Sequence, residues 1–373
     1  MSELTIYAIL ELMLSIHISL SNLLVLWVYF RYKHVRTATN TYIFSLALTD
    51  FLAGSLGIPL TVMSVLTLKP NSYYECLIVH LILCILCTVS TFHMLAIAFD
   101  KYITICCKDQ LFETRHHRAI ILIASSWIIG TAIAIMPVFN IFGFAETEND
   151  FIHHNMECHF TVVVDYGYLV YVIFVGTILA PTVFIIFCYV SIYSRIRKEE
   201  QQVRCLLPKT EQERRLQGRR KLIKILLILV VSYGICWYPL YIINTVEYFW
   251  PNSSMKDLTL WTVVLSHISC ALNPLIYAYG MPGFKKALRN FFNIKSDNNN
   301  TYIGNHSQYM NSKRFDPLGS QHSRHTTSLK TSEESHLKAR KISAPVTYNR
   351  RSTPIHHHQA RKATLISIAL AVI

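Results

Sequence analysis

The chain has 373 residues, of which 52% are apolar and only 15% are charged, well below the roughly 25% of soluble proteins. A soluble domain cannot bury so much apolar surface, and the apolar residues form runs of about twenty, the length that crosses ~30 Å of hydrocarbon. The formal charge of +13 would fit a nucleic-acid partner, but the basic residues lie between the apolar runs, so we predict an integral membrane protein and no nucleic-acid partner.

Seven apolar segments are long enough to be membrane-spanning helices. In chain order they lie near residues 5–30, 40–66, 76–104, 119–141, 166–194, 222–250 and 259–279. Because no basic region with a cleavage site precedes Ile6, we expect the first span to be an uncleaved anchor. The sequence therefore predicts an all-α membrane protein with a bundle of seven transmembrane helices.

The loops on the two sides of the membrane differ in charge. Basic residues crowd segments 31–36, 108–118 and 195–224 and the tail after Lys285, whereas the opposite loops carry acids such as Glu75. The positive-inside rule places Lys-rich and Arg-rich loops in the cytoplasm. We therefore expect the N-terminus outside the cell and the C-terminal tail inside.

Two of the ten cysteines stand apart from the rest. Cys76, at the start of the third span, and Cys158, in the loop before the fifth, are the two that are well placed on the outer side, where disulfides persist. We predict a disulfide between them, with two free surface thiols as the alternative. Asn252 begins an outward Asn-Ser-Ser sequon and is a predicted glycosylation site.

Several polar side chains remain inside the spans although each costs free energy there. They are Glu11, Asn22, Asp50, Ser90, Asp100, Asn244, Ser266, His267, Ser269 and Asn273. A buried ionisable group indicates a functional site, and hydrogen bonding between helices is the alternative. Prolines 59, 137, 181, 239 and 274 interrupt five spans, a pattern that fits a bundle that must move and is also found in transporters.

Short motifs recur in every span in a fixed order. They are Ser21-Asn22, Leu46-Ala47-Leu48-Thr49-Asp50, Asp100-Lys101-Tyr102, Trp127, Pro181 with Tyr189, Cys236-Trp237-Tyr238-Pro239 and Asn273-Pro274-Leu275-Ile276-Tyr277. Together they resemble the signature of rhodopsin-class G-protein-coupled receptors over roughly residues 5–293. The resemblance implies a receptor domain at 1–293 that ends in a short amphipathic helix near 283–292, and residues 294–373 read as a disordered cytoplasmic tail rich in Ser and Thr.

The resemblance assigns roles to the mid-membrane residues. Asp50, Ser90, Ser269 and Asn273 would surround a sodium ion, a hard cation that suits their oxygen atoms and stabilises the inactive bundle. Trp237 would be the packing switch beneath the ligand. Pro274, Tyr277 and Tyr189 would rearrange at the cytoplasmic end. No other cofactor is expected.

Two receptor subfamilies are excluded by single positions. Leu83 stands where amine receptors carry an aspartate, and the polar residue of span seven is His267 instead of the Schiff-base lysine of opsins. The segment from Cys236 to Asn244 is instead similar to that of adenosine receptors. That similarity implies that Asn244 pairs with the purine edge, since a carboxamide both donates and accepts, and that Phe160 stacks on the purine face.

The same resemblance implies a ribose site in span seven. Ser266 and His267 match the residues that bind the ribose hydroxyls, and Glu11 matches the carboxylate that orients the histidine. Thr161 and Ile173 depart from the family pattern. The predicted function is therefore a receptor for adenosine or a related purine nucleoside that changes cyclic AMP, with an orphan receptor that retains an unused purine pocket as the alternative.

Two residues expected to act in G-protein coupling differ from the class pattern. Lys101 stands where the class has arginine, and Arg219 stands where the family has an acid that latches to that arginine. Lysine keeps the charge but loses the planar fork. The lost latch predicts elevated basal activity, and weakened activation of the heterotrimeric G protein is the alternative. Arrestin and receptor kinases are further partners that the resemblance implies.

Two other classes of protein are disfavoured. A transporter would show an inverted repeat and a continuous polar path through the bilayer, and the sequence shows neither. An enzyme would need a nucleophile or a metal constellation, and Glu11 with His267 lacks a third ligand or a suitably placed hydroxyl. We therefore predict a receptor without enzymatic activity in the plasma membrane.

Overall fold

The computed structural model describes residues 3–107, 112–139, 141, 144–203, 209–251, 255–280 and 282–291. Seven of its helices are long and apolar enough to cross a membrane, which confirms the predicted number of spans. Their bounds are Glu3–Arg31, Ala38–Thr67, Tyr73–Cys106, Arg115–Ala134, Tyr168–Gln201, Ile223–Phe249 and Lys256–Gly280. The protein is therefore a multi-pass, all-α membrane protein.

The spans belong to longer helical segments. The fourth helix begins at Phe112, the fifth ends at Val203 and the sixth runs over Lys209–Phe249. Shorter helices lie outside the spans, at Lys33–Val35, Met136–Phe139, Phe144–His153, Phe160–Val163 and Pro282–Phe291. The predicted end of the fourth span at 141 was wrong. The α-helix ends at Ala134, and Pro137, which has no N–H to continue the ladder, lies in the tighter turn that follows.

Proline loosens two of the spans. A π-helical segment over Ala53–Gly57 precedes Pro59, and another over Tyr168–Leu179 precedes Pro181. Proline donates no backbone hydrogen bond and its ring crowds the carbonyl four residues earlier, so a wider turn relieves the clash. Pro239 and Pro274 are carried inside continuous helices.

Small residues let neighbouring spans approach closely. A Cβ on Gly130 would lie 2.9 Å from the Val89 backbone, and one on Gly54 would lie 2.8 Å from the Ile18 side chain. Helices in membranes pack through such small residues because lipid gives no hydrophobic drive for association. The opposite faces of the spans expose large apolar side chains such as Met13 and Ile128, as lipid requires.

The third span defines two ends of the bundle. Cys76, near its start, forms the predicted disulfide with Cys158, with a Cα to Cα distance of 5.6 Å, and we call this the disulfide end. Asp100 and Lys101 lie near its other end, which we call the basic end. At the disulfide end the Tyr73 hydroxyl lies 2.8 Å from Thr147 Oγ1. The loop helix Phe144–His153 is thereby held against the bundle.

The helix Pro282–Phe291 is amphipathic. Phe284 and Leu288 are buried, whereas Lys285, Lys286 and Arg289 are exposed. Its Phe291 ring lies 4.6 Å from the ring of Trp27 on the first span. The side chain of Arg219, the sequon at Asn252 and the tail over 294–373 lie outside the described residues.

Candidate functional site

A buried, hydrogen-bonded carboxylate and imidazole join the first and seventh spans near the disulfide end. His267 Nδ1 lies 2.8 Å from Glu11 Oε2 and 3.0 Å from Oε1. The side chains are 5% and 0% exposed. A carboxylate only accepts hydrogen bonds, so Nδ1 carries the hydrogen. In the neutral ring Nε2 is then an acceptor, and it has no hydrogen-bond partner within the described part of the chain.

The neighbouring polar residues differ in whether their side chains already make hydrogen bonds. The Ser266 hydroxyl donates to the Val263 carbonyl at 2.7 Å and keeps its lone pairs for a ligand. The Asn244 side chain is buried at 6% exposure, and its carboxamide makes no hydrogen bond to any described residue. A carboxamide without such bonds can donate one hydrogen bond to the edge of a ligand and accept another from it.

Phe160 lies directly after the disulfide segment and begins a short helix. Its ring packs edge-on against His80, with centroids 5.4 Å apart. His80 is 2% exposed, its Nε2 lies 3.7 Å from Cys158 Sγ, and its Nδ1 has no partner in the described residues. The disulfide therefore holds both rings at this end of the third span.

A second cluster surrounds Asp50 at mid-depth. Asp50 is 1% exposed, and its Oδ2 accepts a hydrogen bond of 2.7 Å from Asn273 Nδ2. Its Oδ1 is buried without a hydrogen-bond donor among the described side chains. A cavity of about 10 Å³ opens beside it, lined in part by Ser90, Ser269 and Trp237. The four predicted sodium ligands therefore lie around one small cavity.

The donor set of this cavity fits a hard cation. Asp50 supplies one unpaired carboxylate oxygen. Ser90 Oγ lies 2.8 Å from Thr49 Oγ1, and Ser269 Oγ donates to the Ser266 carbonyl, so each hydroxyl retains a lone pair. Oxygen ligands of this kind suit Na⁺ better than soft metals. A neighbouring thiol, Cys270, also lines the cavity.

Trp237 lies between the two clusters. Its Nε1 donates to Ser269 Oγ at 3.0 Å, and its ring stacks between Tyr233 and Tyr241 at 5.7 and 5.9 Å. These three aromatic residues follow one another at four-residue spacing along one helix face. The Tyr233 hydroxyl lies 2.5 Å from Thr91 Oγ1 on the third span. Hydrogen bonds thus join this stack of three aromatic rings, under the candidate ligand site, to the third and seventh spans.

At the basic end, Asp100 is held by two cations. Lys101 Nζ lies 2.9 Å from Oδ2, and Arg118 Nε on the fourth span lies 2.9 Å from Oδ1. Lys101 also donates to Thr39 at 2.6 Å, and Arg118 donates to Thr104 at 2.8 Å. These contacts therefore join the second, third and fourth spans in one cluster.

The remaining switch residues lie around the basic half of the bundle. Tyr277 is fully buried, with its hydroxyl unpartnered among the described groups, and its ring lies 6.5 Å from Phe284. Tyr189 is buried, and the ring of Tyr102 lies 6.0 Å from that of Phe187. No described hydrogen bond joins Tyr277 or Tyr189 to the Asp100 cluster. The Arg219 side chain lies outside the described residues.

Sequence reasoning missed four participants. In the sequence, Arg118 is one of several cations that indicate topology. His80, Thr91 and Tyr233 are polar positions on spans three and six that the list of intramembrane polar residues omitted. The signal available for His80 was its spacing of four residues from Cys76, which places both on one helix face. Nothing in the sequence pairs Arg118 with Asp100.

Comparison with known proteins agrees with this geometry. Residues 21–277 match the family model of the 7 transmembrane receptor (rhodopsin family). The chain is 29% identical over 300 residues to the adenosine receptor A2a of Homo sapiens, covering 76% of this chain and 71% of that protein. It is 30% identical over 295 residues to the Equus caballus A2a receptor, covering 75% and 70% respectively. It is 28% identical over 300 residues to the Gallus gallus A2b receptor, covering 75% and 86%. The chain therefore belongs to the rhodopsin family of seven-transmembrane receptors and is a receptor related to the adenosine receptors.

Proposed function

We propose that this receptor binds adenosine or a related purine nucleoside at its disulfide end and promotes nucleotide exchange on a heterotrimeric G protein at its basic end. The readout would be a change in cyclic AMP. In this proposal the protein lies in the plasma membrane with its N-terminus outside, Asn252 is glycosylated, and receptor kinases and arrestin act on its cytoplasmic side.

The Glu11–His267 pair is the observation that carries the proposal. The carboxylate holds Nδ1, so Nε2 is offered as an acceptor to a ligand hydroxyl. Ser266 lies next to the histidine in the same helix. Two adjacent hydroxyl-binding groups suit the vicinal hydroxyls of a ribose.

The remaining contacts suit a purine base. The free carboxamide of Asn244 can donate to a ring nitrogen and accept from an exocyclic amine. Phe160 offers an aromatic face for a flat heterocycle, and the nearby disulfide limits its movement. These groups come from different segments of the chain, and one nucleoside has a matching group for each.

A second candidate is a receptor for a different ligand that retains this pocket. Thr161 replaces the acid that would hold the exocyclic amine, and Ile173 is a buried apolar residue where a polar one is common. Phe174 and Tyr241 stack in parallel, with centroids 5.6 Å apart, on spans five and six. These features favour a ligand with fewer polar groups than adenosine.

We also propose that Na⁺ binds in the Asp50 cavity and favours the inactive bundle. The unpaired Oδ1 of Asp50 would supply the charge, and Ser90, Ser269 and Asn273 would supply the other oxygens. A ligand that binds one of two states more tightly shifts the population toward that state.

The test is a ligand panel on cells that express the full chain. Adenosine, adenine, inosine and a set of peptides and lipids are applied, with cyclic AMP and calcium as readouts, and basal cyclic AMP is compared with that of cells lacking the receptor. Asn244→Ala should abolish a nucleoside response at unchanged surface expression. Ile242→Ala, a lipid-exposed change on the same helix, should leave it intact.

Two outcomes would count against the proposed ligand, and a third would count against the elevated basal activity expected from Lys101 and Arg219. Silence toward millimolar adenosine with a response to another ligand class would favour the second candidate. Preserved potency in Asn244→Ala would mean that the base is recognised elsewhere. Basal cyclic AMP that does not differ between the two cell lines, under each G-protein background, would contradict the expected elevated basal activity.

A further inference from the structure

The Asp100 carboxylate at the basic end has one hydrogen-bond donor on each oxygen. Lys101 comes from the same helix and Arg118 from the next span, and both nitrogen to oxygen distances are 2.9 Å. The side chains are 3%, 8% and 13% exposed for Asp100, Lys101 and Arg118. A carboxylate this deeply buried depends on its partners, because removal of one partner of a buried ion pair leaves an uncompensated charge.

The two cations are anchored differently. Arg118 binds Asp100 through Nε and Thr104 through a terminal nitrogen at 2.8 Å, so its planar group spans one turn of the third helix. Lys101 reaches Asp100 and, at 2.6 Å, the Thr39 hydroxyl on the second span. A guanidinium holds two acceptors in a rigid fork, whereas an ammonium is a point charge on a flexible stem. Lys101 is therefore the more easily released of the two.

We propose that Arg118 is a positioning residue for signalling, which keeps Asp100 compensated when Lys101 leaves it to contact a G protein. The inference rests on the proposed coupling to a G protein. With both cations in place the cluster carries a net positive charge. After Lys101 departs, the Asp100 and Arg118 pair is neutral and remains buried. Arg118 thus lowers the free-energy cost of releasing Lys101.

The opposite role is a simple latch. If Arg118 only bound the third span to the fourth in the resting state, its removal would free the bundle and raise basal exchange. Under our proposal its removal leaves Lys101 as the one described cation that compensates Asp100, so exchange falls. The sign of the change therefore separates the two roles.

The experiment measures guanine-nucleotide exchange by purified full-length receptor in lipid vesicles, on a panel of heterotrimeric G proteins, with and without adenosine. Arg118→Gln should lower the exchange rate roughly tenfold, within the usual range for coupling between sites. Arg118→Lys, which keeps a charge within reach, should retain most of it. Lys33→Gln removes one exposed cation from the same end of the bundle and controls for net charge.

The decisive comparison uses Asp100→Asn. A neutral side chain needs no compensating cation, so Arg118→Gln should have no effect in the Asp100→Asn background. This double variant contains no buried carboxylate without a cation, and Lys101 keeps the Thr39 hydroxyl as an acceptor. It therefore serves as the reference if Arg118→Gln alone reaches the membrane poorly.

Three results would overturn the inference: a rise in exchange with Arg118→Gln, an equal loss in the Asp100→Asn background, or a loss in Arg118→Lys as large as in Arg118→Gln. A wild-type receptor that drives no exchange on any G protein would remove the proposed function together with this inference. Normal wild-type exchange with an unaffected Arg118→Gln would remove the inference alone.

Discussion

His267 Nδ1 lies 2.8 Å from Glu11 Oε2, although 256 residues separate them in the chain. Both side chains are almost fully withdrawn from solvent. The contact fixes which nitrogen of the ring carries hydrogen and joins the first span to the seventh. It makes the orientation of a proposed ligand-binding residue depend on a helix at the other end of the sequence.

Changes at Glu11 should weaken a nucleoside response. Glu11→Ala leaves the buried Nδ1–H of His267 unpartnered, at a cost of about 1–3 kcal/mol, which corresponds to roughly 5-fold to 150-fold in potency. Glu11→Gln keeps an acceptor and should cost less. Concentration-response curves of cyclic AMP against adenosine measure both effects. Leu12→Ala, an exposed neighbour on the same helix, is the control, and potency equal to this control in Glu11→Ala would refute the role of the pair.

Neutralising Asp50 should abolish sensitivity to sodium. In the wild-type receptor, exchanging sodium for choline at constant ionic strength should raise agonist affinity, because Na⁺ stabilises the inactive state. Asp50→Asn removes the charge of the unpaired Oδ1, and its agonist affinity should be the same in both salts. Radioligand binding in membranes measures this, and a persistent sodium effect in Asp50→Asn would place the ion elsewhere.

Removing the hydroxyl of Tyr233 should raise basal signalling. Thr91 Oγ1 donates to the Cys87 carbonyl, so the Tyr233 hydroxyl is the donor in the 2.5 Å contact between the third and sixth spans. Tyr233→Phe loses this bond and leaves Thr91 satisfied. If movement of the sixth span breaks the bond, its loss favours the active state by about 1 kcal/mol, or roughly fivefold in the population ratio. Basal nucleotide exchange measures the effect.

A partner variant tests whether the bond itself is responsible. Thr91→Val removes the acceptor. Basal nucleotide exchange in the double variant with Tyr233→Phe should therefore be only slightly higher than in Tyr233→Phe alone. Additive increases would show that the two residues act separately.

Ser45 should be needed for thermal stability. His93 Nδ1 lies 2.8 Å from the Val89 carbonyl, so its Nε2 accepts from Ser45 at 2.7 Å, and Ser45 in turn accepts from Trp127 at 3.1 Å. Ser45→Ala leaves the buried His93 Nε2 and the half-buried Trp127 Nε1 without this hydrogen-bond partner. We expect a loss of about 1–2 kcal/mol and a melting temperature lower by about 3–6 °C in detergent.

The control for this stability measurement is Ser125→Ala. Ser125 is half-buried, and among the described residues its hydroxyl donates only to the Ile121 carbonyl of its own helix, at 2.8 Å. Its loss should leave the melting temperature nearly unchanged. An equal melting temperature in the two variants would mean that the network linking spans two, three and four adds nothing.

Helix number and the identity of the polar residues were predictable because each depends on local composition. The disulfide was predictable because the topology leaves Cys76 and Cys158 as the two cysteines well placed on the outer side. Twenty apolar residues must become a helix in lipid, whatever the rest of the chain does. The predicted end of the fourth span was wrong because hydropathy continues past Ala134, where the α-helix ends and a tighter turn that contains Pro137 follows. Hydropathy does not register the missing N–H of proline.

The partners of buried charges depend on packing and could not be read in this way. Cations in the segment 108–118 all fit the topology rule equally well, yet among the described side chains of that segment only Arg118 forms an ion pair with Asp100. Which arginine meets the carboxylate depends on the rotation of the fourth helix, which Gly130 permits by its close approach to Val89.

The sequence by itself determined the membrane class, the seven helices and the residue types of each cluster, because lipid imposes length and polarity on every segment separately. The tertiary structure decided which polar atoms are paired and which stay open. In the folded protein Glu11 pairs with His267, and Asp100 contacts two cations. Oδ1 of Asp50 has no hydrogen-bond donor among the described residues. These differences arise because hydrogen bonds depend on distances of a few tenths of an ångström between helices that are distant in sequence.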